Sequence, residues 1–159
     1  MRVRALLALS LLLVGGCSLF RDRHKPPDLR DVLQVVTPRV GAAVSIPIRV
    51  TSGGAVALQL DLEYEPELLA LEQGTTAPPA AGAGKALTAR PVRRGVARVV
   101  VFGTNLQPLP PGLLGEVRFR AVGSARLTPV RAVRRAAPDA EGRDLATTVR
   151  RGEIVIGGA

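Results

Sequence analysis

The chain has 159 residues, 47% of them apolar, which is enough for one domain with a real core. Aromatic residues make up only 3% and there is no Trp, so the core must be aliphatic and sites that need aromatic platforms are poorly supplied. One cysteine excludes an intrachain disulfide.

Residues 1–16 have the features of an export signal. A basic start precedes the apolar run Ala5–Val14, which is too short to span a bilayer comfortably, and two small residues follow. The only cysteine comes next, and the sequence Leu13-Val14-Gly15-Gly16-Cys17 resembles the lipobox of bacterial lipoproteins. The resemblance implies that Cys17 becomes the lipidated first residue of the mature chain; an ordinary signal peptide is the alternative. Because Ser18 replaces the Asp of an inner-membrane retention signal, it also implies an outer-membrane anchor in the cell envelope.

Residues 17–30 are predicted to be a flexible tether. The segment is polar and charged, and Pro26-Pro27 favours an extended conformation. The only histidine, His24, lies here and is interpreted as a solvated linker residue rather than a catalytic one. The folded domain is therefore expected over residues 31–159.

Apolar residues at alternate positions predict short strands along the whole domain. The clearest pair lies between Gly41 and Gly74, where Pro66 ends the second strand and Thr75–Gly84 is predicted to be a loop. The predicted strands are Val32–Val36, Val44–Val50, Val56–Tyr64, Lys85–Val92, Val96–Phe102, Gly115–Val122, Arg126–Val133, Ala146–Val149 and Glu153–Ile156. Eight or nine strands without an amphipathic helix predict an all-β sandwich.

The order of several short motifs resembles the cohesin domains. The motifs are Arg39-Val40-Gly41, Val44-Ser45-Ile46-Pro47-Ile48, Tyr64-Glu65-Pro66-Glu67-Leu68-Leu69, Gly95 to Val101, Gly112 to Phe119, and Gly152-Glu153-Ile154-Val155-Ile156. The resemblance covers Asp31 to Gly158. It implies a nine-stranded jelly-roll β-sandwich, an architecture shared with carbohydrate-binding domains.

The resemblance also implies a protein partner. Cohesins bind dockerin modules through one flat sheet face, and so assemble polysaccharide-degrading enzymes or attach proteins to surfaces. The contact strands correspond to Gly54–Tyr64, Lys85–Val92, Val96–Phe102 and Arg126–Val133. Where type I cohesins often carry Asn and Asp two residues apart, this chain has Ala57 and Gln59, so a dockerin of that type would lose its usual hydrogen-bond partners.

Strand alternation gives the candidate partner-binding face. If the apolar residues of the second strand are buried, its other residues face outward; if Arg98 faces outward, so do Val100 and Phe102, which form an apolar strip. The alternative is that another element covers the strip. The candidate residues are Ala57, Gln59, Asp61, Glu63, Arg98, Val100 and Phe102.

Charge is distributed unevenly along the chain. The net charge is +9, or +7 without Arg2 and Arg4, and Lys85 to Arg135 holds eleven basic residues against Glu116 alone. This surface could steer an anionic partner such as lipopolysaccharide, an acidic polysaccharide or an acidic protein, although a simple solvated arginine-rich surface is the favoured interpretation. Nucleic acid is argued against by export and by the lack of aromatics for base stacking.

The sequence offers no catalytic, cofactor or metal site. It contains no triad, zinc or nucleotide-binding motif. Glu63, Glu65 and Glu67 cluster in the sequence, but Glu65 and Glu67 flank a proline turn and are interpreted as solvated, and the acids of residues 139–144 are interpreted as a polar turn rather than a calcium loop. We therefore predict a lipid-anchored, non-enzymatic envelope protein whose cohesin-like domain binds another protein, in polysaccharide degradation or surface assembly. A carbohydrate-binding module, which the scarcity of aromatics opposes, and an accessory lipoprotein of an envelope secretion or assembly complex are the alternatives.

Overall fold

The computed structural model describes residues 30–51 and 53–157. The predicted signal peptide, lipidation at Cys17 and tether residues 17–29, including His24, lie outside the described residues.

The described chain is a sandwich of two five-stranded sheets. We call the sheet of order β1-β8-β3-β6-β5 the first sheet and the sheet of order β4-β7-β2-β10-β9 the second. Among the described residues, neighbouring strands pair antiparallel, except that β2 and β10 are parallel. The elements are β1 (Val32–Val36), β2 (Ala43–Val50), β3 (Leu58–Glu63), β4 (Leu69–Thr76), α1 (Pro78–Gly82), β5 (Ala86–Arg93), β6 (Val96–Phe102), β7 (Gly112–Ala121), β8 (Thr128–Ala136), β9 (Thr147–Arg150) and β10 (Glu153–Ile156).

The core lies between the sheets and is aliphatic, as the composition predicts. In each sheet, alternate side chains of a strand point toward the other sheet and are buried. Ile46 and Ile48 of β2 and Leu60 and Leu62 of β3 are each 0% exposed. Phe119 is the aromatic residue among the largest fully buried side chains. Burying such side chains stabilises the fold by roughly 1.5–3 kcal/mol each.

The strand β3 is shorter than the strand predicted over Val56–Tyr64. β3 begins at Leu58, so Val56 lies outside the strand and is partly exposed; its N–H donates to the carbonyl of Pro138 at 2.8 Å. β3 ends before Tyr64, whose N–H donates to the carbonyl of Gly95 at 2.9 Å. The turn expected around Pro66 is present, with the N–H of Leu69 donating to the carbonyl of Glu65 at 2.9 Å.

Two elements were not predicted. β4 (Leu69–Thr76) occupies a segment in which no strand was predicted, and its last two residues belong to the predicted loop. It pairs with β7 along its length and raises the number of strands among the described residues to ten. Its sequence lacks alternation because it is an edge strand with only Leu69 buried. The helix α1 has five residues and begins with proline, which suits a first helical turn because its missing N–H would have no partner there. No helix among the described residues is long and apolar enough to cross a membrane.

In the first sheet, β5 lies beside β6, and β8 lies beside β3. β5 is an edge strand that contains Pro91, as predicted. β8 begins two residues later than predicted and extends to Ala136, and its register with β3 shifts between Asp61 and Leu62. This irregularity places Arg134 opposite Asp61 and Ala132 opposite Leu62.

Candidate partner-binding face

The four segments that correspond to contact strands lie side by side in the first sheet. Their order is β8-β3-β6-β5, although β8 and β5 are separated by more than thirty residues of sequence. The strand register arranges their outward side chains in rows across the sheet. The sheet therefore brings together residues that the sequence holds far apart.

Two of these rows are uncharged, and we call them the neutral rows. The first pairs Ala86 with Phe102. The second joins four neighbouring strands and consists of Thr88, Val100, Gln59 and Ala136. Phe102 is 46% exposed and Val100 is half-buried, so the residues that the structure describes leave the apolar strip open to solvent in part.

The next row is charged, and we call it the arginine row. It runs Arg90, Arg98, Asp61 and Arg134 from β5 to β8. Arg90 and Arg134 are exposed, whereas Arg98 is half-buried. Beyond it Glu63 is exposed and lies opposite Arg131.

Asp61 is the main correction to the predicted face. It lies on the outer side of β3, as expected, but it is only 4% exposed because Arg98 covers it. Arg98 Nε donates to Asp61 Oδ1 at 2.8 Å, and a second guanidinium nitrogen donates to Oδ2 at 3.0 Å. The hydrogen bond from Arg98 lowers the pKa of Asp61, with further lowering by the charges of Arg98, Arg134 and Arg93 against the opposing effect of burial.

The remaining predicted residues differ in how they lie on this face. Ala57 is half-buried and immediately precedes β3, so it is not part of the strand. Gln59 is exposed in the centre of the second neutral row. The outward direction predicted for Arg98, Val100 and Phe102 is observed, since the alternate residues Val99 and Val101 are fully buried.

The chain is similar in structure to solved cohesin modules. The cohesin module of a family 33 glycoside hydrolase from Clostridium perfringens matches with a TM-score of 0.59 at 14% identity, over 70% of this chain and 84% of that one. The second type II cohesin module of the ScaA scaffoldin from Acetivibrio cellulolyticus matches with a TM-score of 0.56 at 14% identity, over 76% and 90%. The fold is that of a cohesin module. The third cohesin of ScaC from the same bacterium, solved in complex with the ScaB dockerin, has a TM-score of 0.56 at 14% identity, over 77% and 93%.

The predicted cohesin-like sandwich is thereby confirmed as a fold. No protein-family model matches the sequence, and no curated protein matches it.

One buried charge in the cohesin-like domain was missed by sequence reasoning. Lys85, predicted to begin an edge strand, is 3% exposed, and burial lowers its pKa. Its Nζ donates to the carbonyls of Val56 and Asn105, each at 3.0 Å, and Asn105 Nδ2 donates to the carbonyl of Ala83 at 3.1 Å. Lys85 therefore joins two loops at the end of the sheet where the neutral rows lie.

Two acidic residues outside the face, Glu67 and Asp139, are held in turns. Glu67 pairs with Arg94, and both are exposed. Asp139 Oδ1 accepts from the backbone N–H of Glu141 at 3.0 Å and of Arg143 at 2.8 Å, while Arg143 Nε donates to Oδ2 at 2.7 Å. Both Asp139 oxygens are thus occupied in closing a turn. Within 30–51 and 53–157, no group of three or more His, Cys, Asp or Glu could hold a metal ion.

Proposed function

We propose that the cohesin-like domain binds another protein through the outer face of β8-β3-β6-β5. The observation that carries this proposal is the pair of neutral rows, in which Phe102 is exposed and Val100 is partly exposed on the outer side of the first sheet. Partly open apolar surface with a polar border is typical of protein interfaces. Two similar structures support a protein as the partner, because each is a cohesin in complex with a dockerin.

The face suits a protein better than a carbohydrate. Sugar rings usually stack on exposed Trp or Tyr, but the single tyrosine of the chain, Tyr64, packs edge-on against Phe119 with ring centroids 4.9 Å apart. Phe102 is the aromatic residue of the rows described above. Ala57 and Gln59 also differ from the type I cohesin pattern, so the proposal names a protein partner of dockerin type or an unrelated one.

We place this binding activity at the cell envelope, in polysaccharide degradation or surface assembly. The support is the lipobox-like sequence that ends at Cys17 and the polar segment that follows it. A lipid on Cys17 would hold the domain near the membrane by a tether of about a dozen residues. Metabolic labelling with an alkyne fatty acid should label the wild type and not the Cys17→Ala variant; a labelled variant would refute the anchor.

Capture of the partner by variants of the full chain tests the binding face. Val100→Asp and Gln59→Arg should each lower recovery of a discrete partner from envelope extract by tenfold or more, because they place charge in the neutral rows. Val155→Asp and Gln73→Arg make the same changes on the second sheet at residues of similar exposure, and should leave recovery unchanged. Melting temperatures check that every variant is folded.

Two results would contradict the proposal. Equal recovery by Val100→Asp and Val155→Asp would place the site elsewhere. Binding to a glycan array without capture of any protein would favour the carbohydrate alternative.

A further inference from the structure

The arginine row has an imbalance of charge that the domain does not correct. Three guanidinium groups share one carboxylate across four neighbouring strands. Arg90 lies directly opposite Arg98, and like charges at directly opposed positions destabilise a sheet. The row therefore carries two excess positive charges.

The one carboxylate of the row is fully used. Asp61 is 4% exposed and takes two hydrogen bonds from Arg98, so it cannot also reach out to an exposed guanidinium. The side chains of Arg90 and Arg134, on either side of the Arg98–Asp61 pair, form no hydrogen bond or ion pair with any residue in the described part of the chain. Both are exposed, and both can meet an external anion.

The neutral rows beside the arginine row indicate which kind of anionic partner would use the whole face. Adjacent residues on the same side of a strand are about 6.6 Å apart, so Val100 lies one such step from Arg98, and Thr88 one step from Arg90. A phosphate or sulfate group would use the arginine row alone and leave Val100 and Phe102 in water. A protein element with apolar side chains beside carboxylates would use both, and carboxylates pair with arginine through two parallel hydrogen bonds.

We propose that the partner presents an acidic, amphipathic protein element, laid across the strands with its carboxylates on Arg90 and Arg134 and its apolar side chains on Val100 and Phe102. Three strand spacings separate β5 from β8, so Arg90 and Arg134 begin about 14 Å apart on the sheet. The partner's two carboxylates are expected at about the same separation, and the length of the arginine side chains allows some variation in it. On a helix this corresponds to about two to three turns. This inference rests on the proposed function and adds the chemistry of its partner.

Three synthetic helical peptides test the inference against the full chain. All carry the same stripe of Leu and Ile along one side of the helix. Beside the stripe, pairs of positions separated by about seven or about eleven residues are Glu in the first peptide, Gln in the second and Lys in the third. Isothermal titration should show the Glu peptide binding at least tenfold more tightly than the Gln peptide, with no binding of the Lys peptide. Affinity for the Glu peptide should fall as salt rises, because exposed charges are screened.

Charge-reversal variants locate the contact. R90E and R134E should each weaken binding of the Glu peptide at least tenfold and should improve binding of the Lys peptide. R118E is the matched control, since Arg118 is exposed on the second sheet, and should change neither affinity.

The outcomes separate this inference from the proposed function. If V100D abolishes binding while R90E and R134E leave it unchanged, the acidic partner is refuted and the protein-binding face stands. If V100D has no effect on any peptide that binds, both proposals fail. Failure of all three peptides to bind at about 1 mM, or binding of dextran sulfate or anionic lipid vesicles that R90E and R134E abolish, would overturn the acidic protein element.

Discussion

Asp61 is the residue on which the charge of the binding face depends. It offsets one of three arginines, and its pKa is held below the ordinary value of 3.8 chiefly by the hydrogen bond from Arg98. A carboxyl whose pKa is lowered by folding stabilises the folded state above its unfolded pKa. That contribution is lost as the pH falls through the lowered pKa.

The Asp61→Asn variant should therefore be less stable in a pH-dependent manner. At pH 7 we expect a loss of about 1–3 kcal/mol in the free energy of unfolding, because a buried, charge-assisted pair is broken. The loss should shrink as the pH falls from 3.8 through the lowered pKa of Asp61, since the carboxyl of the wild type is protonated first in the unfolded state and then in the folded state. Urea unfolding across this pH range measures both. Glu63→Gln, at an exposed position on the same strand, should change stability by less than about 0.5 kcal/mol. A loss that stays constant with pH would show that Asp61 does not act through its charge.

Single residues show what the sequence can predict of this face. Alternation correctly predicts the outward direction of Gln59, Asp61, Arg98 and Phe102, because it depends only on the strand period. It cannot predict that Asp61 is buried, since its partner Arg98 lies 37 residues away on another strand. Lys85 was missed for the same reason, because the carbonyls that it binds belong to distant loops.

At the scale of elements, two glycines let the edges of the sheets approach. A Cβ on Gly74 of β4 would lie 2.6 Å from the Leu87 side chain of β5 and 3.0 Å from the backbone N of Ala89. A Cβ on Gly115 of β7 would meet the backbone carbonyl of Thr75, and would lie 2.7 Å from Leu87. Leu87, which is 4% exposed, therefore packs over both glycines and closes the sandwich at this edge.

A double-mutant cycle distinguishes the two glycines. Gly74→Ala and Gly115→Ala should each cost about 1–3 kcal/mol, because an added methyl must displace its neighbours. In a Leu87→Ala background the cost of Gly74→Ala should fall, since its nearest neighbour is the removed side chain, whereas the cost of Gly115→Ala should persist against the backbone of Thr75. Gly82→Ala is the control, because no atom lies within 4 Å of the added Cβ. An equal cost of Gly74→Ala in both backgrounds would contradict this packing.

Strands were predicted correctly where their own residues show an apolar pattern. The strand that was missed is held by its pairing with a neighbouring strand and has no such pattern. The bounds of β1, β6 and β10 were predicted as observed, because each is an apolar run ended by a turn. β4 was missed because its C-terminal part, Glu72-Gln73-Gly74-Thr75-Thr76, has no apolar residues at alternate positions. Its register with β7 makes it a strand, and a pattern in one segment does not contain that information.

At the scale of the whole molecule, the binding face is made by topology. Segments from residues 58–63, 86–93, 96–102 and 128–136 become neighbours only in the sheet order β8-β3-β6-β5, and the neutral rows and the arginine row exist only in that order. The sequence supplies the candidate residues, through alternation and through the resemblance to cohesins. The rows themselves depend on register, including the shift between Asp61 and Leu62 that sets Arg134 beside Asp61.

Site-directed crosslinking tests the central claim most directly. The chain has one cysteine, so the Cys17→Ala variant allows a single benzophenone probe at Gln59→Cys on the first sheet or at Gln73→Cys on the second. After illumination with the captured partner, we predict a covalent adduct from position 59 and none from position 73. An adduct from position 73 without one from position 59 would contradict a binding face on β8-β3-β6-β5.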